Sequence, residues 1–204
     1  MIEVKRLQDY DLILASASPR RTEILRQIGV RHQIVPADID ETPISGESAI
    51  NYVQRMAQEK AKCVVAKSSK ITPVLGADTC VVCESKIFGK PRNQGEAMEM
   101  LALLSGKSHQ VYTAVAVATQ QNCLLQISTT EVVFREITKQ ECLSYWETGE
   151  PVDKAGGYAI QGFGAVFVSS IEGSYSGVVG LPIEQTALLL RKFGVPIWSY
   201  NRVG

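Results

Sequence analysis

Apolar and polar positions change rhythm several times along this chain. Asp11-Leu-Ile-Leu-Ala-Ser16 is a short apolar run ending in small residues, and it reads as a buried strand. Ser18-Pro19 then opens a helix. Serine is a good N-cap, proline is favoured at the first helical position, and Ile24, Leu25 and Ile28 follow at helical spacing up to Gly29. Gln33 to Pro36 reads as a second strand, and Asp38-Ile-Asp-Glu-Thr-Pro43 as an acidic loop. Ser48 to Lys67 has the pattern of a long amphipathic helix, with Ile50, Val53, Met56, Ala57 and Ala61 on one face. Pro73 to Cys83 is a buried strand interrupted by Gly76, and Gln94 to Leu104 is a helix. His109 to Thr119 and Cys123 to Phe134 alternate like an antiparallel pair, turning at Gln120-Gln121-Asn122. Thr138 to Trp146 is a capped helix, and a glycine-rich stretch runs from Lys154 to Gly164. A strand over Ala165 to Ile171 and a helix over Leu181 to Phe193 close the pattern.

Helices and strands alternating around a central hairpin predict an α/β fold with a partly antiparallel sheet. A length of 204 residues fits one domain, residues 1–204, and Ser105-Gly106 is the best candidate for a boundary between two lobes flanking a cleft. A chain this long buries roughly 70% of its unfolded surface and needs no staples. The 21 basic and 21 acidic residues cancel, which argues against a nucleic-acid partner. The five cysteines are odd in number and scattered, so they read as reduced thiols. Cys80 and Cys83 have zinc-knuckle spacing, but in a strand those positions face opposite ways. No apolar run approaches the roughly 20 residues that span a bilayer. The run at Leu12 is too short for a signal peptide and follows Glu3, Asp9 and Asp11. The expectation is a soluble cytoplasmic protein with no membrane partner.

The chemistry gathers at a few junctions. Ser16-Ala-Ser-Pro-Arg20-Arg21 sets two hydroxyls and two guanidiniums at a helix N-terminus, where free N–H groups and the positive dipole end suit phosphate. The plainer alternative pairs these arginines with Asp38, Asp40 or Glu41. Asp78, in Gly76-Ala-Asp-Thr79, is an acid inside an apolar strand, which is costly unless paired or used. It fits a metal ligand, a general base, a cap on a neighbouring loop, or half of a buried ion pair. Lys60 and Lys90 lie at element ends, as binding cations or as solvated side chains. In Asp153-Lys154-Ala-Gly-Gly-Tyr-Ala-Ile-Gln161-Gly the glycines admit a flat ligand and Gln161 offers both a donor and an acceptor, unless the stretch is an ordinary loop. Leu101 stands where a P-loop before Ser105-Gly-Lys-Ser108 needs glycine, so that motif is rejected. Phosphate donors, acids, cations and a base reader together make a nucleotide-hydrolysing site.

These motifs occur in one order: Ser16-Ala-Ser-Pro-Arg-Arg, Gly76-Ala-Asp-Thr, Gly89-Lys-Pro-Arg, Leu104-Ser-Gly-Lys-Ser-His, Asp153 to Gly162, Gly173-Ser-Tyr and Val179-Gly-Leu-Pro. In this the chain resembles the Maf family of nucleoside triphosphate pyrophosphatases along nearly its whole length. The resemblance implies an elongated mixed β-sheet flanked by helices, like inosine triphosphate pyrophosphatases. It also implies a homodimer and a divalent metal, Mg²⁺ or Mn²⁺. Arg20, Thr79 and Gln161 are similar to the dTTP/UTP pyrophosphatase subgroup, in which they would select the base. By the same resemblance Asp78 is catalytic; Ser16, Arg20, Arg21, Lys60 and Lys90 bind phosphates; and Asp40, Glu41 and Asp78 hold the metal. The acidic loop departs from the family's usual pair of consecutive glutamates. The alternatives are a 7-methyl-GTP pyrophosphatase of the same fold and a nucleotide-binding regulator of cell division.

Overall fold

The computed structural model describes residues 10–68 and 71–199. Seven strands form a mixed sheet in the order β2-β1-β3-β5-β6-β7, with β4 paired to β3 off that path. The strands are β1 (Leu12–Leu14), β2 (His32–Ile34), β3 (Val74–Cys83), β4 (Lys86–Phe88), β5 (Ser108–Ala118), β6 (Cys123–Phe134) and β7 (Val168–Glu172). β1 runs parallel to β2 and β3, and every later pairing is antiparallel. The helices are α1 (Pro19–Gln27), α2 (Ala49–Lys67), α3 (Gln94–Leu104), α4 (Lys139–Glu147), α5 (Tyr175–Val179) and α6 (Ile183–Lys192). A mixed sheet flanked by helices matches the expected α/β class.

The sheet separates two apolar layers. On one face Val53, Ala57, Ala61 and Val64 of α2 pack on Val74, Cys80, Ala114 and Ala116. On the other, Leu25 of α1, Leu101 of α3, Cys142 of α4 and Leu189 of α6 cover Leu75, Val81, Val115 and Phe134. The pleat of β3 sends alternate side chains to opposite layers, so Cys80 and Cys83 point apart.

Local chemistry fixes the element ends. Ser48 caps α2 by accepting from the Asn51 N–H, and Asn93 caps α3 by accepting from the Glu96 N–H. Thr138 and Glu141 form a reciprocal capping box on α4. Several expectations are corrected. Ile50 is 40% exposed on the first turn of α2, and Lys60 joins the buried stripe instead. Gly76 does not interrupt β3. It lies under α2, where a Cβ would collide with the Ala57 carbonyl oxygen. The last helix begins two residues after Leu181, and α5 precedes it as a separate short turn. Ser105 and Gly106 turn between α3 and β5; the Ser105 hydroxyl accepts from the Ile137 N–H and donates to its carbonyl.

Candidate active site

Ser16 follows β1, and the chain turns there into α1. No side-chain cap closes this helix, and its first turn carries no acid. The Ser16 Oγ accepts from the Ser18 N–H at 3.2 Å and from Arg21 Nη1 at 2.9 Å. With both lone pairs engaged, its proton is left to donate outward. Arg21 Nε donates to the Gly180 carbonyl at 2.9 Å, which fixes the guanidinium in the cleft wall. Burial pulls the Arg21 pKa down against the charge of Asp78, and the like charge of Arg20 adds to the fall.

Across the cleft, Lys60 of α2 is 7% exposed. Its Nζ donates to Asp78 Oδ1 at 2.7 Å and lies 2.8 Å from Glu41 Oε1. Burial pushes the Glu41 pKa up, but the Lys60 hydrogen bond and charge, with Lys90 and Arg21 beyond, outweigh it and leave the carboxyl below its usual range. The Tyr52 hydroxyl donates to the Glu41 carbonyl at 3.0 Å. Arg55 donates to the Thr42 carbonyl and bidentately to Glu47, so α2 holds the successive carbonyls of Glu41 and Thr42.

Opposite faces of β3 carry Asp78 and Thr79. Asp78 meets α2, whereas Thr79 Oγ1 lies 3.0 Å from Thr113 Oγ1 on β5, which donates to the Gly177 carbonyl at 2.7 Å. The glycine-rich stretch is folded into short turns anchored by Glu150. The Glu150 carboxylate accepts from the Tyr145 hydroxyl and from the Phe163 and Gly164 N–H groups. The Gly156 N–H donates to the Gly89 carbonyl, which ties this stretch to the loop of Lys90.

A cleft of 840 Å³ collects these parts: Ser16, Arg20, Arg21, Glu41, Lys60, Asp78, Thr79, Lys90 and Gln161 all line it. Its apolar wall includes Val81, Phe88, Val111 and Ile160. Asp40 is the exception. Its Oδ1 accepts from the Thr42 N–H at 2.9 Å and the Thr42 hydroxyl at 2.6 Å, an exposed local turn away from the cleft.

Residues 11–193 match the family model described as Maf-like protein. The chain belongs to the Maf family. A dTTP/UTP pyrophosphatase of Saccharophagus degradans is 51% identical over 93% of this chain and 91% of its own length. Another, from Nitrosomonas europaea, is 47% identical over 92% and 96%. A solved nucleoside-triphosphatase/dITP/XTP pyrophosphatase of Mycobacterium abscessus aligns over 89% of this chain and 94% of its own at 12% identity, with a TM-score of 0.44.

In this Maf chain the site contains residues to which sequence reasoning gave no role. Lys154 lines the cleft, its pKa pulled down first by burial and then by the charge of Arg20. Such crowding of cations is relieved by an anion. Tyr52 left no signal, because one tyrosine on an amphipathic helix is unremarkable. Thr113 carried the signal that found Asp78, a polar residue inside an apolar strand. Among the described residues no group of three or more His, Cys, Asp or Glu is placed for a metal. Mg²⁺ is commonly held by one or two carboxylates, with water and phosphates completing its shell. The donor chemistry of Asp78 and Glu41, brought together on Lys60, fits that mode for Mg²⁺ or Mn²⁺.

Proposed function

We propose that this chain hydrolyses dTTP and UTP between the α and β phosphates, releasing the monophosphate and pyrophosphate. The observation that carries the reading is the convergence, in one cleft, of Asp78 and Glu41 on Lys60 with Arg21, Ser16 and the uncapped start of α1. Phosphoryl transfer needs positioning and charge neutralisation more than covalent chemistry. Ser16 and the first N–H groups of α1 donate to phosphate oxygens. Arg20, Arg21, Lys60, Lys90 and Lys154 neutralise the triphosphate. Asp78 orients the attacking water and takes its proton. Asp78 and Glu41 would hold Mg²⁺ or Mn²⁺, which supplies charge stabilisation at the phosphates when bound. Thr79 and Gln161 read the base, and the relatives named for dTTP and UTP support that choice.

The test is product analysis on a panel of nucleoside triphosphates, with Asp78→Asn as control. Monophosphate and pyrophosphate from dTTP and UTP, cut about 100-fold or more in the variant, are expected. Wild-type turnover by a folded Asp78→Asn protein, or preference for a methylated guanine nucleotide, would overturn the reading. The reading extends to a cytoplasmic homodimer, which light scattering on the purified chain checks for oligomeric state. Among the described residues no helix is long and apolar enough to cross a membrane.

A further inference from the structure

Two hydroxyls face this cleft with opposite hydrogen-bond character. Ser16 accepts twice and has a proton to give. Thr79 is the reverse. The Gly177 carbonyl cannot donate, so the proton in its 2.7 Å contact with Thr113 Oγ1 belongs to Thr113. Thr113 has no second proton. The 3.0 Å contact between the two threonines is therefore a donation from Thr79 to Thr113. Thr113 is fully buried, so no water competes for this arrangement. Thr79 Oγ1 keeps only lone pairs for the cleft that it lines. Gly180 flanks it: a Cβ there would be in ordinary contact, 3.8 Å from both Thr79 Oγ1 and Arg21 Nε.

An acceptor at this position repels phosphate oxygens, which are acceptors themselves. It takes a donor. A sugar hydroxyl both donates and accepts and would gain nothing from a fixed polarity. The N3–H of uracil or thymine is an obligate donor, whereas N3 of cytosine is an obligate acceptor. Gln161 cannot make this distinction alone, because its amide can flip to suit either base. We infer that Thr113 is a positioning residue that locks Thr79 as an acceptor, so that the cleft favours bases with an N3–H over cytosine. This deepens the functional reading above and rests on it.

The experiment compares UTP, CTP, 3-methyl-UTP and 3′-deoxy-UTP as substrates of the wild type, Thr113→Val and Thr113→Ser. The wild type is expected to favour UTP over both CTP and 3-methyl-UTP by about ten-fold or more in kcat/KM, with 3′-deoxy-UTP close to UTP. Thr113→Val frees the Thr79 proton to turn into the cleft, and the UTP-to-CTP ratio should fall several-fold. Thr113→Ser keeps the hydroxyl and should keep the ratio. A purely structural role would lower turnover of all substrates alike. Equal use of UTP and 3-methyl-UTP by the wild type would overturn the inference without any variant. So would an unchanged ratio in folded Thr113→Val, or a larger effect of the 3′-deoxy change than of the base. Calorimetry with α,β-methylene UTP and CTP reads the same ratio without hydrolysis. Absent turnover with a retained binding ratio therefore refutes the functional reading alone, and a lost ratio refutes this one.

Discussion

Lys60 occupies the point where two carboxylates would otherwise face each other. Asp78 is buried and Glu41 half-exposed, and both lean on the one ammonium. A buried ion pair gains little over an apolar substitute, but removing one partner strands the other in low dielectric. Lys60→Met should therefore cost about 3–5 kcal/mol of stability, read by urea unfolding. Turnover should fall with it, because the methionine cannot neutralise phosphate. Asp78→Asn leaves Lys60 with Glu41, so the same unfolding curve should shift much less than in Lys60→Met, although activity is lost. Equal losses of stability in the two variants would show that the pair is structural. At this scale the acid was legible in the sequence, since an aspartate in an apolar strand demands an explanation. Asp40 and Glu41 looked equivalent there. The Thr42 hydroxyl and N–H that capture Asp40 decide between them, and such side-chain competition becomes visible only when the loop's path is known.

Elements with regular periodicity were legible, and those fixed by close approach were not. The β3–β4 hairpin turns on Glu84 and Ser85 at φ of 50° and 66°. A two-residue turn with both residues left-handed usually carries Asn-Gly, and Glu-Ser offers no such cue. Gly76 was legible as an oddity but not for its reason, since the crossing of α2 over β3 is a tertiary fact. Gly76→Ala should fail to fold or lose several kcal/mol, because the clash is with α2 backbone rather than a flexible side chain. Glu150 is the corresponding device for the glycine-rich stretch, joining α4 to residues 163–164 by three accepted hydrogen bonds. Glu150→Ala should loosen the segment bearing Gln161. KM for UTP should then rise about ten-fold while kcat changes less, as steady-state kinetics would show. A fall in kcat with KM unchanged would place the effect at the phosphates instead.

Across the whole molecule the charges sum to zero, yet the cleft concentrates cations and the core conceals a histidine. His109 lies on β5, 2% exposed, with Nε2 at 2.8 Å from the Tyr158 hydroxyl and its ring edge-on to Phe134 and Tyr158. Burial pulls its pKa from 6.5 down to about 4. The unfolded chain therefore takes up a proton below pH 6.5 that the folded chain refuses until about pH 4. Stability is at its full value above pH 6.5 and falls as the pH drops through that window, by about 3 kcal/mol in all. Glu41, Glu141 and Glu150 are held below their usual value of 4.5, so their contributions are lost only at the acid end of that range and beneath it. The interval from pH 6.5 to 5 thus isolates the histidine. Urea unfolding of the wild type should show stability declining there with a slope approaching one proton. His109→Gln, which keeps a polar contact for Tyr158 but cannot titrate, should be flat over the same interval. A wild-type slope that persists in that variant would mean that the proton is taken up elsewhere, and that the buried imidazole is not what limits this fold in mild acid.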